Sequence, residues 1–315
     1  MQIHPLHHPA TPLPCASRGT VVAIGTFDGV HTGHRRLLAD AVELATTRGV
    51  PACVFTFVEH PRTVLRPDHP VRLLTPWEEK LRRLDGSGLA GVFAAHFTAA
   101  FSELSPEAFV REVLVARLGV SAVVTGFNFR FGHQQAGTPE TLASLGARHG
   151  FPVTIVAPVE DATGVISSSR VRGLVEGGHV AEAGRLLGYP YSLTGEVSHG
   201  DKRGRTLGFP TANLAVAPDK LLPAHGVYAC WAEVGSERLP CVVNIGKRPT
   251  FDGVRLLVEA HLLAGGRDLY GETITLSLVE RLRGEQAFSG VEALVAQIQR
   301  DCEAARTRLA VVVPT

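Results

Sequence analysis

Five short apolar runs, separated by stretches with helical spacing, fill the first half of the chain and constrain its fold more than any other feature. They are TVVAIG (Thr20 to Gly25), ACVFTF (Ala52 to Phe57), GVFAAHF (Gly91 to Phe97), SAVVTG (Ser121 to Gly126) and PVTIVAP (Pro152 to Pro158). Runs this short and this apolar read as buried strands. Between the first two, Leu37, Leu38, Ala41, Leu44 and Ala45 recur at helical spacing, and Gly49 follows as a stop. TPWEEKLRRL and SPEAFVREVLVARLG each open on a hydroxyl cap and a proline, Thr75-Pro76 and Ser105-Pro106, and the second ends at Gly119. Strands alternating with helices predict an α/β domain whose parallel sheet is covered on both faces.

Beyond residue 186 the texture changes. Short runs such as GVYACWAEV, LPCVVNIG, RLLVEAHLL and TITLSLVERL follow one another at close intervals, split by turn residues. That pattern predicts an antiparallel barrel or sandwich. The last stretch, FSGVEALVAQIQRDCEAARTRL, reads as an amphipathic helix capped by Ser289, with Val291, Leu294, Val295, Ile298 and Cys302 on one stripe. The expected boundary lies near Gly188, giving domains over 20–187 and 188–315. Residues 1–19 carry four prolines and no apolar core segment, and are expected to be a flexible tail without a secretory signal. Its His4, His7 and His8 form at most a weak metal tract.

Charge excludes one class of function. Against 31 Lys and Arg stand 30 Asp and Glu, a net +1, so the chain is not built to coat a nucleic acid. No apolar run reaches the length of a membrane span. Five cysteines without paired spacing point to free thiols in a reducing cytoplasm.

The stretch GTFDGVHTGH, Gly25 to His34, joins the first strand directly to the first helix. In an open α/β sheet, ligands sit at the carboxyl ends of strands, and the free N–H groups of a helix start favour phosphate. Gly33 lets backbone approach the anion, while His31 and His34 put two imidazoles on one side of the turn. Protonated, or donating from one nitrogen, they can stabilise charge on a transferring phosphoryl oxygen.

The strand followed by H-x-G-H resembles the nucleotidyltransferases, which attack the α-phosphate of a nucleoside triphosphate. TFVEHP (Thr56 to Pro61), GFNFRFG (Gly126 to Gly132) and ISSSRVR (Ile166 to Arg172) narrow the resemblance to the bacterial bifunctional riboflavin kinase/FAD synthetases. It implies a Rossmann-like FMN adenylyltransferase domain in the first half. There Gly25, Phe27, Gly33 and Ser168 would bind ATP, and His31, His34, Asn128 and Arg170 would act on the transferring phosphate. A hydroxyl at Ser169 stands where family members often carry threonine. FMN already carries a nucleophilic phosphate oxygen, so the resemblance requires positioning and charge neutralisation with Mg²⁺ rather than an activated serine or cysteine.

The second half holds HGDKRGRTLGFPTAN, His199 to Asn213. Gly200, Gly204 and Gly208 supply backbone able to wrap an anion, Lys202, Arg203 and Arg205 supply charge, and Thr211 and Asn213 offer hard oxygens that Mg²⁺ accepts. The spacing is not that of a P-loop. From Gly195 onward the stretch resembles the riboflavin kinase module, as do GVYA, NIGKRPTF, VEAHLL and DLYG. The resemblance implies a six-stranded antiparallel barrel with a terminal helix. In it Gly200, Lys202, Gly208 and Pro210 would line the ATP loop, Thr211 and Asn213 would hold Mg²⁺, and Glu259 would be the general base on the riboflavin hydroxyl. RLRGEQAF (Arg281 to Phe288) and the last helix would close over the isoalloxazine ring.

The expected partners are therefore riboflavin, FMN and ATP, with FAD as a product, no nucleic acid, no membrane, and room for a weak homo-oligomer. Two rival readings keep a smaller claim: a kinase whose first domain only binds flavin or nucleotide, and an enzyme acting on a flavin analogue.

Overall fold

Each apolar run of the first half becomes a strand in a single parallel sheet of the computed structural model. The strands are Gln2–Leu6 (β1), Thr20–Ile24 (β2), Ala52–Phe57 (β3), Gly91–Ala95 (β4), Val120–Gly126 (β5) and Val153–Val156 (β6), ordered β1-β4-β3-β2-β5-β6. The described residues are 1–6, 19–198, 204, 207–250, 253–265 and 267–311, and they divide into two units, Met1–Ser167 and Ser168–Thr315.

Side-chain alternation builds both faces of the sheet. Val21, Ala23, Val54, Val92 and Val124 pack against Leu37, Leu38, Ala41 and Ala45 of helix Thr32–Arg48 (α1). Val22, Ile24, Phe55, Phe93 and Val123 pack on the opposite face against Phe109, Val110, Leu114 and Leu142. Each such side chain contributes about 1.5–3 kcal/mol when fully buried. Gly49 ends α1 in the left-handed region (φ 67°), as its place in the sequence predicts.

Helices Pro61–Leu65 (α2), Trp77–Leu84 (α3), Ala99–Ser102 (α4) and Pro106–Ala108 (α5) come next along the chain. Ser105 caps α5 as expected, its side chain accepting from the Ala108 N–H at 3.1 Å. α5 runs on as a π-helical stretch, Phe109–Arg117, where the Leu118 N–H reaches back five residues to the Val113 carbonyl. Pro139–Arg148 (α6) precedes β6, and a small hairpin, Glu160–Asp161 (β7) with Gly164–Val165 (β8), completes the first unit.

Three expectations need correction. Thr75 does not cap α3, whose N-cap position is Pro76 without a side-chain bond, because Thr75 is engaged elsewhere. The start of the chain is not untethered throughout: Gln2–Leu6 pair with Gly91–Ala95 as the sheet's edge, the one place a strand tolerates Pro5. His4 there lies against Phe93, with ring centroids 5.7 Å apart, while His7, His8 and Cys15 fall outside the described residues. Val291 is 60% exposed and stands off the buried stripe of the last helix, because the chain only begins to contact the barrel further along.

The second unit opens with two helices, Ser168–Glu176 (α7) and Val180–Leu187 (α8), which the sequence pattern alone assigns to the first domain. The Ala224 N–H donates to the Val175 carbonyl of α7, and α8 packs on the barrel, so both helices belong to the barrel unit. Six strands then close a barrel: Ser192–Ser198 (β9), Ala212–Val216 (β10), Gly226–Val234 (β11), Glu237–Thr250 (β12), Gly253–Leu262 (β13) and Thr273–Arg283 (β14), ordered β10-β13-β12-β11-β14-β9. All six strand pairings are antiparallel, as the resemblance implies. Helix Val291–Val311 (α9) lays Ile298, Cys302, Ala305 and Leu309 on the outer face, over Val227, Ala229 and Val242. Among the described residues no helix is long and apolar enough to cross a membrane, and the four described cysteines are free and buried.

Candidate active sites

β2 is the switch point of the parallel sheet: β3 and β4 lie on one side of it, β5 and β6 on the other. The crevice opened there, at the carboxyl ends of β2 and β5, is where such sheets place ligands. Gly25 to His34 fills that position. The Gly25 N–H donates to the Phe55 carbonyl at 3.2 Å, and the Phe27 ring folds back until a side chain on Gly25 would meet it at 3.1 Å.

The turn is strained and clamped. Phe27 (φ 50°) and Val30 (φ 36°) occupy the left-handed region, which is costly for a β-branched residue, and both side chains are fully buried. Between them Asp28 is 2% exposed and accepts from the Thr75 N–H at 3.0 Å, while the Thr75 hydroxyl accepts from the Gly29 N–H at 2.8 Å. Strain of this kind persists only where the surroundings over-determine it, and burial with these bonds does so here.

The clamp presents the two histidines. His31 is the N-cap of α1, its Nδ1 accepting from the His34 N–H at 3.3 Å. Their rings stack with centroids 3.7 Å apart at 16°. A side chain on Gly33 would meet the His31 ring at 3.2 Å, so glycine lets the ring lie there without being displaced. Burial lowers the His31 pKa to about 4 against the pull of Asp28, and holds His34 well below its usual value, aided by the charges of His31 and Lys80. Both imidazoles are therefore neutral at physiological pH. With Nδ1 of His31 accepting, its proton sits on Nε2, and the ring is a neutral donor. Of the two modes expected from sequence, donation from one nitrogen is the one the geometry provides. His34 Nδ1 is buried without a hydrogen-bond partner.

Asn128 is exposed after β5, its Oδ1 lying 3.5 Å from where a Cβ on Gly126 would sit, with Leu37 of α1 at 3.8 Å from the same point. The structure thus brings Gly25, Phe27, His31, Gly33, His34 and Asn128 to one end of one sheet. Ser168 and Arg170 stand at the start of α7, in the second unit. Sequence reasoning missed Asp28, Thr75 and Lys80, which carry no motif chemistry of their own. A charged residue at an inward position of α3 was the available signal for Lys80.

In the barrel, register assembles the second group. Asn213 of β10 faces Glu259 of β13, and Glu259 faces Asn244 of β12. Directly opposed residues project to the same face of a sheet. The Asn244 amide donates to Glu259 Oε2 at 3.5 Å. Above this row, the Phe209 N–H donates to the Gly204 carbonyl at 2.8 Å, and the His261 ring meets the Pro210 carbonyl at 2.9 Å and the Phe209 ring edge-on. Gly208 takes φ 85°, a turn that glycine permits. That tether delivers Thr211 and Asn213 beside Glu259. A cleft of about 330 Å³ opens against Pro210, Thr211, Ala212, Asp268 and Tyr270. Gly200 and Lys202 lie outside the described residues. Arg283 of RLRGEQAF makes a bidentate bond to Asp301 of α9 (3.0, 3.1 and 2.8 Å), fastening the end of β14 to the last helix.

Comparison with known proteins gives two families, one for each half of the chain. Residues 14–170 match the FAD synthetase family and residues 187–309 the riboflavin kinase family. The bifunctional riboflavin kinase/FMN adenylyltransferase of Listeria monocytogenes is 42% identical over 298 residues, 94% of each chain. The proteins of the same name from Bacillus subtilis and Escherichia coli are 38% and 39% identical over 90% of each chain. The crystal structure of a macrolide-efflux protein from Streptococcus pneumoniae superposes with a TM-score of 0.86 at 33% identity, covering 97% of this chain and 99% of that one.

Proposed function

The chain belongs to the bifunctional riboflavin kinase/FMN adenylyltransferases, and from that premise we propose how its residues divide the two reactions. It is a transferase that phosphorylates riboflavin to FMN with ATP and adenylylates FMN to FAD.

In the first unit, a phosphate oxygen of FMN attacks the α-phosphorus of ATP, and the bond to pyrophosphate breaks. The nucleophile is already an anion, so no base is needed. What the step requires is hydrogen-bond donors fixed where charge builds. Neutral His31 and His34 fill that role, because their buried stack cannot drift and does not depend on protonation. Gly25, Phe27 and Gly33 shape the phosphate turn and Asn128 meets the flavin phosphate; for Ser168 and Arg170, at the start of α7, the support for a role on the triphosphate is the family resemblance of ISSSRVR alone.

In the second unit, Glu259 takes the proton from the riboflavin 5′-hydroxyl as its oxygen attacks the γ-phosphorus of ATP and ADP leaves. Asn213 and Asn244 flank Glu259 in the sheet register, which orients its carboxylate. Gly200, Lys202, Gly208 and Pro210 line the ATP loop.

Thr211 and Asn213 suit Mg²⁺. Among the described residues no cluster of three His, Cys, Asp or Glu could hold a metal, so the protein offers neutral oxygens, which fits an ion that takes most of its ligands from phosphate and water. When bound it neutralises charge on the ATP phosphates. We place the reactions in the cytoplasm, in keeping with buried free thiols, with riboflavin, FMN and ATP as partners and neither nucleic acid nor membrane required.

The observation that supports this reading is two chemically unlike groups, one in each unit: the buried, stacked His31–His34 pair in the first, and Glu259 flanked by Asn213 and Asn244 in the second. A product time course tests it. Riboflavin with Mg-ATP should give FMN first and FAD after it; FMN without later FAD would remove the assignment of the first unit.

A further inference from the structure

Lys80 is used by neither reaction described above, yet it is 5% exposed. Its ammonium donates to the Phe57 carbonyl, the last residue of β3, at 3.0 Å, and lies 5.5 Å from the centre of the Trp77 ring on its own helix. Two carboxylates act on it: Asp28 in the strained turn, and Glu59 just beyond β3, which itself bonds His96 at 2.7 Å. From α1 it faces His34, whose neutrality its charge reinforces. Burying a cation costs several kcal/mol. A tie to one carbonyl could be made more cheaply by a neutral donor, so the charge itself has a use.

We propose that Lys80 is a positioning residue for adenylyl transfer: fastened to the Phe57 carbonyl, it sets a buried positive charge that acts on His34 and offsets the charges of Asp28 and Glu59 near a site that must admit a triphosphate. The inference rests on the first unit being the adenylyltransferase. The charges of Asp28 and Glu59 alone would repel a polyanion, and one cation near them cancels part of that repulsion at short range, where screening is weak.

The consequence is a pH limit. Burial lowers the Lys80 pKa from 10.5 to about 8, with Asp28 and Glu59 opposing. The lysine is charged below that value and loses its charge as pH rises through it, while His31, with a pKa of about 4, stays neutral across the range. Affinity for ATP in FAD formation should hold near neutrality and weaken above about pH 8.

The test measures kcat and KM for ATP in FAD formation from FMN, from about pH 6 to about pH 9.5, in the wild-type chain, Lys80→Arg and Lys80→Met. The near-UV circular dichroism and thermal transition of each protein report whether the first unit, which carries Lys80, is folded, and FMN formation from riboflavin reports the second. The wild type should show KM rising about tenfold above pH 8, Lys80→Arg should lose that alkaline limb, and Lys80→Met should show the high KM at every pH with FMN formation unchanged. If Lys80→Met unfolds, Lys80→Arg alone decides. An alkaline limb that stays in place in Lys80→Arg, or wild-type kinetics in Lys80→Met, would overturn the proposal. A wild-type chain forming no FAD at any pH would overturn the underlying reading with it.

Discussion

The turn at Gly25–His34 and the loop leading to Asn213, the two proposed phosphate sites, are built in opposite ways. The first is a strained, buried turn whose backbone is clamped by Asp28 and Thr75 and whose histidines are kept neutral by burial. The second is a tether among its described residues: Phe209 and Pro210 are fastened to Gly204 and His261, and Glu259, the proposed base, stands on a strand. On the proposed roles, the difference follows from the nucleophile. A phosphate oxygen needs rigid donors and no base, whereas a hydroxyl needs a base beside it.

If that contrast is right, the two sites can be disabled separately. The double change His31→Ala with His34→Ala should lower FAD formation by about a thousandfold or more and leave FMN formation within about twofold, because fixed donors to a developing charge are worth about 10²–10³ each. Glu259→Gln should lower FMN formation by about 10²–10⁴ and spare FAD formation when FMN is supplied. Loss of both activities in either folded variant would break the comparison.

Thr75→Val sharpens it. The change keeps shape and volume but leaves the Gly29 N–H without its acceptor, a loss of about 1–3 kcal/mol placed on a strained turn. FAD formation should fall about tenfold or more, in kcat rather than in KM for ATP, with FMN formation unaffected. The smallest effect is expected at the tether. His261→Ala removes the partner of the Pro210 carbonyl, worth about 1 kcal/mol, and should raise KM for ATP in FMN formation a few-fold.

Much of this is legible in the residues. Four of the five apolar runs mark the inner strands of the sheet because burial on both faces favours that composition, the fifth being the edge strand Val153–Val156 with Thr154 and Ile155 exposed, and the glycines and histidines of Gly25–His34 mark the turn between β2 and α1. The edge strand Gln2–Leu6 is not legible, since a proline-bearing edge reads like a tail until its partner β4 is known. Thr75 reads as a cap because Thr-Pro before a helix is ordinarily one; its true partners, Asp28 and Gly29, lie more than forty residues away in the chain. Lys80 escapes for the same reason, because a charge at an inward helical position makes sense only once Asp28 and Glu59 are seen around it. α7 and α8 read as further members of an α/β alternation, and that they pack with the barrel is visible only in the fold, although the riboflavin kinase match itself begins at residue 187.

Counting bound nucleotide tests the central claim most directly. A non-hydrolysable ATP analogue, titrated calorimetrically with magnesium, should bind at two sites per chain. The His31→Ala/His34→Ala protein should keep the site of the second unit, and a variant lacking Thr211 and Asn213 side chains should keep that of the first. One site per chain, or both lost together in a folded variant, would contradict the account.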